Sequence, residues 1–377
     1  MHIAELPTPA LLIDRAILQN NLKFMQDRAN DLGVLLRPHI KTHKCIEIGR
    51  QQIEQGARGI TVSTFYEADR FAAAGFDDIS WAFPIPPVYA TSVLKLPESV
   101  TIRVVVDSVE AKGHLDKVCR TSGRRLHVWL KVDCGYHRAG VDPKSRYAED
   151  LVKSLCESKV LIFDGILSHS GHSYHARNRN EILPFAREER DVMLGFADRM
   201  RAAGYRIPAI SIGSTPAMTV IDHLEGISEI RPGNYVFYDY TQVMIGSCGI
   251  SDCALTVLAS VISHQPASSH FVTDAGALAM SKDEGPTHVK NHMGMGILFE
   301  DYERKRLIPH LELTTLSQEH GKVVSSAATL LSNSYNVGDK VRILEHHSCL
   351  TAANFDRYYV VDGEEVVDEW SILRGRT

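Results

Sequence analysis

Between residues 10 and 239, short apolar runs alternate with helix-like stretches. The runs at 59–63, 78–83, 101–106, 127–132, 161–168 and 209–212 do not show the polar alternation of a strand with one wet face. Strands apolar on both sides, each followed by a helix, predict a parallel sheet covered on both faces. About eight such units favour closure into a (β/α)8 barrel over an open sheet. The glycine-rich ends Cys134-Gly135, Ser170-Gly171, Gly213-Ser214 and Gly233-Asn234 would then gather at the face where such barrels keep their chemistry.

Past Gly246 the texture changes. Residues 255–263, 270–273, 340–344 and 358–361 are short, β-rich and separated by turn residues, which predicts a mostly antiparallel second domain. The expected division is a barrel over 10–245 and a β domain over 246–377. A chain of 377 residues exceeds the size at which one core stops growing, so two domains fit its length. The formal net charge of -5 offers no basic field for nucleic acid or an anionic membrane. No stretch approaches 18 uninterrupted apolar residues, and the start has neither a basic n-region nor an apolar core. A small-molecule partner and a cytoplasmic location are expected. Seven cysteines without a C-x-x-C pair suit reduced thiols.

Several segments carry residues suited to chemistry. Arg37-Pro38-His39-Ile40-Lys41 follows the apolar run Val34-Leu35-Leu36, which sets the Lys41 amine just past a strand end. An ordinary lysine titrates near 10.4, so as a nucleophile it must be desolvated or held as a Schiff base with a carbonyl cofactor such as pyridoxal phosphate. The alternative is a solvated surface lysine. Ser211-Ile212-Gly213-Ser214-Thr215 and Arg231-Pro232-Gly233-Asn234-Tyr235 are strand ends of the kind that cradle phosphate, or else ordinary turns. His169, His172, Tyr174 and His175 crowd one loop and are candidate acid–base groups; His169 and His172 could equally brace the loop. His347 and Cys349 stand two apart. On an extended segment they would share a face, and imidazole with thiolate suits zinc.

These segments, together with Leu6-Pro7-Thr8-Pro9-Ala10, Lys131-Val132-Asp133-Cys134-Gly135 with Arg138, and Glu319-His320-Gly321, resemble in order the pyridoxal-phosphate family of D-threonine aldolases and eukaryotic-type D-serine dehydratases, relatives of alanine racemase. The resemblance implies an alanine-racemase-like barrel plus a C-terminal β domain joined by the extreme N-terminus, residues 1–9. Lys41 is then the cofactor lysine, and Arg138 faces the cofactor's phenolic oxygen. Ser214, Thr215, Gly233 and Asn234 hold its phosphate, and Tyr174 lies at the cofactor. His347 and Cys349 hold one divalent ion, zinc before manganese or magnesium. The resemblance also implies a homodimer and an amino-acid substrate of D-configuration.

Two outcomes follow on a D-3-hydroxy-α-amino acid. If His175, matched in aldolase members, takes the β-hydroxyl proton, glycine and an aldehyde result. If Lys41 takes the α-proton, loss of hydroxide gives a 2-oxo acid and ammonia. Cys349 matches the dehydratase members, where aldolases often carry aspartate. We expect the aldolase, since a base at the β-oxygen is required there while either Asp or Cys binds a divalent ion, with D-serine or D-3-hydroxyaspartate dehydratase as the alternative. A racemase would share Lys41 and Arg138 but would not need a metal. A cofactor-carrying protein without activity would not need the second domain.

Overall fold

The computed structural model describes residues 1–265, 267–290, 294–325 and 335–375. The chain forms two compact units.

The first unit is built from Phe24–Lys41 and Ile46–Gly233. Its eight strands are Leu35–Leu36, Ile60–Val62, Asp78–Pro84, Thr101–Val106, Leu126–Lys131, Leu161–Leu167, Ala209–Ile212 and Glu229–Ile230. All neighbours pair in parallel, and Leu35–Leu36 lies beside Glu229–Ile230 at one end of the strand order. The two edges meet where His39 bridges Thr61 and the Thr61 N–H donates to the Pro38 carbonyl at 2.8 Å, so the curled sheet closes as the apolar runs predict. Helices between the strands begin at caps written in the sequence. Thr64 accepts from the Glu67 N–H while Glu67 accepts from the Ser63 N–H, and Ser108 caps Val109–Ser122, which ends at left-handed Gly123.

The barrel interior is ionic on one side. Buried Arg37 donates to Asp78 and, at 2.9 Å, to Glu229, and Arg103 also donates to Asp78. The Ser211 hydroxyl donates to Glu229 at 2.7 Å and accepts from Arg231 at 2.6 Å. Buried charges persist only when paired in this way.

The second unit is built from Met1–Lys23, Thr42–Cys45 and Asn234–Arg374. Six strands form a closed antiparallel ring, in the order Leu255–His264, His270–Thr273, Gly321–Ser325, Arg306–Leu316, Gly296–Asp301 and Lys340–Glu345, returning to the first. Ala10–Asp14 extends this sheet, antiparallel to Leu255–Leu258 and parallel to Tyr359–Val361, and Glu365–Ser371 forms the outer strand.

Here the observed units depart from the division expected at 245. Ala10–Asp14 reads like a barrel strand because it is buried on both faces, but its backbone pairs within the β unit, and the N-terminal contribution runs to Lys23. Residues 234–245 also belong to the β unit.

Candidate active site

Because the barrel strands are parallel, all their C-terminal ends share one rim. Lys41 lies there in the 3-10 turn Ile40–Thr42, with its side chain exposed. Its N–H donates to His39 Nδ1 at 3.3 Å, and His39 Nε2 lies 3.3 Å from the Ser63 hydroxyl, so His39 fixes the turn that presents the amine. After Leu126–Lys131 ends, Asp133 accepts from the N–H groups of Gly135 and His137 and from His137 Nδ1. That turn carries exposed Arg138, whose guanidinium stacks 5.0 Å from the Tyr136 ring centre.

His169, Ser170 and the 3-10 turn Gly171–His175 follow Leu161–Leu167. Ser173 ties this loop down, donating to the Ser170 carbonyl at 2.7 Å and meeting the Ser214 hydroxyl at 2.8 Å. His172 is buried between Tyr136 and Phe185, Tyr174 is half-buried and His175 is exposed. Ser214 begins the helix Thr215–Val220, and Ser214, Thr215 and Gly233 are all buried. Gly213 sits at φ +113, a conformation that glycine allows, with Met218 and the Arg231 backbone packed where a Cβ would stand.

His169 is the electrostatic centre of this rim. Burial, then Lys41, Lys131, Arg138 and Arg231, hold it well below its ordinary pKa, so it is neutral near pH 7. Lys131 is pushed down to about 7 by burial and by Arg231, against Cys134 and Glu189. Four basic side chains bearing on one half-buried imidazole form a field suited to a ligand with a phosphate and a phenolate. The Ser170 hydroxyl, buried without a hydrogen-bond partner, adds a polar group in the same loop. These residues fit pyridoxal phosphate. Glu189 supports the floor, accepting from Ser168 at 2.7 Å and from the Gly213 N–H at 3.3 Å. Lys131, Glu189 and Arg231 escape assignment from sequence, although Lys131 and Arg231 stand inside the segments singled out there. A charged residue next to an apolar strand end singles out Lys131 and Arg231 without stating that it turns inward, and Glu189, inside the helix Arg179–Ala202, carries no such mark.

In the β unit, His347 ends the segment after Lys340–Glu345 and caps the short helix Ser348–Ala352, in whose first turn Cys349 lies. The pair therefore spans a strand-to-helix turn and does not share one extended face as the spacing predicts. The two side chains nonetheless interact. Burial works against the charged imidazole, but Asp283, Cys349 and Asp239 outweigh it and push His347 up to about 11. His347 Nδ1 lies 2.7 Å from Asp283 Oδ2. Buried Asp239 accepts from the Ser348 N–H at 3.1 Å and from Asn234 Nδ2 at 2.7 Å, so it anchors the turn. Asn234 Nδ2 also reaches Ser348 at 2.9 Å, which directs its amide to this turn and leaves its backbone as what it can offer a phosphate.

An imidazole beside a thiol, with its Nδ1 held by a carboxylate, is a donor set that fits a divalent ion. Among the described residues no group of three or more His, Cys, Asp and Glu converges on one point, so the protein can supply two ligands here and leave positions open. Asp274 accepts from the Ser260 N–H and the Thr8 hydroxyl and holds a turn.

Residues 13–241 match the alanine racemase N-terminal domain and residues 254–361 the serine dehydratase domain. The chain is 37% identical to a D-serine dehydratase of Dictyostelium discoideum over 97% of this chain and 96% of that one. It is 36% identical to the D-threo-3-hydroxyaspartate dehydratase of Delftia sp. (strain HT23), with 98% of each chain covered. A D-threonine aldolase of Arthrobacter sp. is 28% identical over 98% of this chain and 93% of its own. The solved structure of the Delftia enzyme superposes with a TM-score of 0.93 at 35% identity, covering 99% of both chains. No helix among the described residues is long and apolar enough to cross a membrane. With both domains matched in order and the fold shared end to end, the chain belongs to the alanine-racemase-fold, pyridoxal-phosphate-dependent lyases that include D-serine dehydratases, D-threo-3-hydroxyaspartate dehydratases and D-threonine aldolases.

Proposed function

We propose that this lyase dehydrates a D-3-hydroxy-amino acid, D-serine or D-threo-3-hydroxyaspartate, to a 2-oxo acid and ammonia. The observation that carries the choice is a thiol, Cys349, interacting with His347 at the metal turn. The relatives above 30% identity named here are dehydratases. Solved forms of a D-threo-3-hydroxyaspartate dehydratase include a histidine-to-alanine variant and a metal-free cysteine-to-alanine variant, substituted two positions apart. That is the spacing of His347 and Cys349.

Pyridoxal phosphate would supply the electron sink for a carbanion at Cα. Lys41 carries the cofactor and moves the proton at substrate Cα. Arg138 holds the phenolic oxygen, and Ser214, Thr215, Gly233 and the Asn234 backbone hold the phosphate, with Tyr174 in the same rim. His347 and Cys349 hold the ion, for which imidazole and thiolate favour zinc, and which would supply Lewis acidity for loss of the β-hydroxyl. The reading carries with it a homodimer, tested by sedimentation, and a cytoplasmic location.

A second reading, retro-aldol cleavage to glycine and an aldehyde, is favoured by His175, whose exposed imidazole at the barrel rim could take the β-hydroxyl proton. One assay separates them. Purified protein is incubated with D-serine, D-threonine and D-threo-3-hydroxyaspartate, with and without chelator. Ammonia and 2-oxo acid, lost on chelation, support dehydration. Glycine as the main product, suppressed roughly 10²–10⁴-fold in His175→Ala, supports the aldolase.

A further inference from the structure

The loop 281–285 is shaped around one carboxylate. The Asp283 N–H donates to the Ser281 hydroxyl at 3.3 Å. Asp283 Oδ1 accepts from the Gly285 N–H at 2.8 Å, and its Oδ2 meets His347 Nδ1 at 2.7 Å. Both oxygens are therefore engaged by protein partners, and one of those partners is the imidazole itself. The loop tolerates little change at its end. Gly285 has φ +71, and a Cβ there would come within 3.2 Å of His346 Nδ1 and of Thr241 Oγ1. Ser281, with φ +71, also occupies the left-handed region where non-glycine residues are uncommon. A strained backbone is retained where the surroundings hold it, and what this one delivers is Asp283 against His347.

The ring nitrogen that donates to Asp283 fixes the tautomer of the other. With Nδ1–H on the carboxylate, Nε2 carries the lone pair, and the imidazole plane is set by a partner outside the metal ligands. We propose that Asp283 is the positioning residue of the metal centre, holding His347 with Nε2 turned to the ion while binding no metal itself. This rests on the assignment of His347 and Cys349 as ligands. The three oriented parts, Gly285, Asp283 and His347, then form a chain from backbone to imidazole.

The test reads metal affinity and needs no turnover. Purified protein with its cofactor bound is stripped of metal and titrated with Zn²⁺ against a chromophoric chelator, for wild type, His347→Ala, Asp283→Ala, Asp283→Asn and Asp283→Glu. Asp283→Ala should weaken zinc binding about 10–100-fold, the range seen when such outer carboxylates are removed. Asp283→Asn, which keeps an acceptor without the charge, should fall between Ala and wild type, and Asp283→Glu should recover part of the loss. The cofactor absorbance and melting temperature should be unchanged, and excess zinc should restore kcat in Asp283→Asn, which a general structural defect would not allow. If Asp283→Ala fails to fold, Asp283→Asn gives the reading. Unaltered zinc affinity in Asp283→Asn and Asp283→Glu while His347→Ala loses the metal overturns the positioning role alone. Retention of zinc by His347→Ala overturns the ligand assignment beneath it.

Discussion

The Thr42 hydroxyl lies 3.2 Å from the Cys349 sulfur. A hydroxyl at that distance can donate to the thiolate, the form of cysteine that binds metals, so this contact favours the ligand state of Cys349.

Thr42→Val keeps the shape of the side chain and removes the donor. One hydrogen bond contributes about 0.5–1.5 kcal/mol, more to a charged group, so zinc affinity should fall roughly 2–10-fold with the cofactor absorbance intact. Isothermal titration with zinc measures this, and an affinity equal to wild type removes Thr42 from the metal centre.

Lys41→Ala should purify without the yellow imine absorbance and without activity, because Lys41 is the lysine that the 3-10 turn Ile40–Thr42 presents at the rim. Lys131 is the buried lysine to exclude, and Lys131→Met should keep the colour. A yellow, active Lys41→Ala protein would end the pyridoxal assignment of Lys41.

Asp78 faces both Arg37 and Arg103 inside the barrel. Removing one member of a buried ion cluster leaves uncompensated charge and costs about 3–5 kcal/mol. Asp78→Ala should therefore lower the urea midpoint far more than a surface change such as Glu98→Ala. A shift within error of wild type means that water or rearrangement neutralises the arginines.

Lys131 makes stability depend on alkaline pH. Its folded value lies near 7, whereas an unfolded lysine titrates near 10.4. Above pH 7 the unfolded chain thus binds more protons at this site than the folded chain does, so stability rises with pH across that window and is insensitive to this group below it. The difference in unfolding free energy between wild type and Lys131→Met should climb from pH 7 to 9 by at most about 1.4 kcal/mol per unit. A flat difference would show that a counter-charge holds Lys131 protonated.

How far the sequence could be read depended on whether the deciding contacts were local. Strands Thr101–Val106 and Ala209–Ile212 are legible to the residue, since an apolar run between helix signals reports burial on both faces. Ala10–Asp14 reports the same burial but not its partners, which are some 240 and 350 positions away in the chain. At the metal turn, residue type exposes His347 and Cys349. Asp283 stays hidden because its link to His347 crosses 64 positions and a loop aspartate is chemically ordinary. Lys131 and Arg231 are hidden for another reason. Their low exposure comes from closure of the barrel, and no local pattern states that a charged residue at a strand end will turn inward.

The placement of Ala10–Asp14 between Leu255–His264 and Arg357–Asp362 bears on how the protein is made. This strand must wait for partners made roughly 240 and 350 residues later, while every barrel strand is already available by residue 230. Long-range pairing of this kind pays its loop-closure entropy before any contact rewards it. The barrel should therefore acquire structure first during synthesis, and the β unit, with its metal turn, only once residues 357–362 have emerged. Nascent chains arrested before residue 357 would carry Ala10–Asp14 unpaired on that side, as an apolar strand open to chaperones or to a second copy.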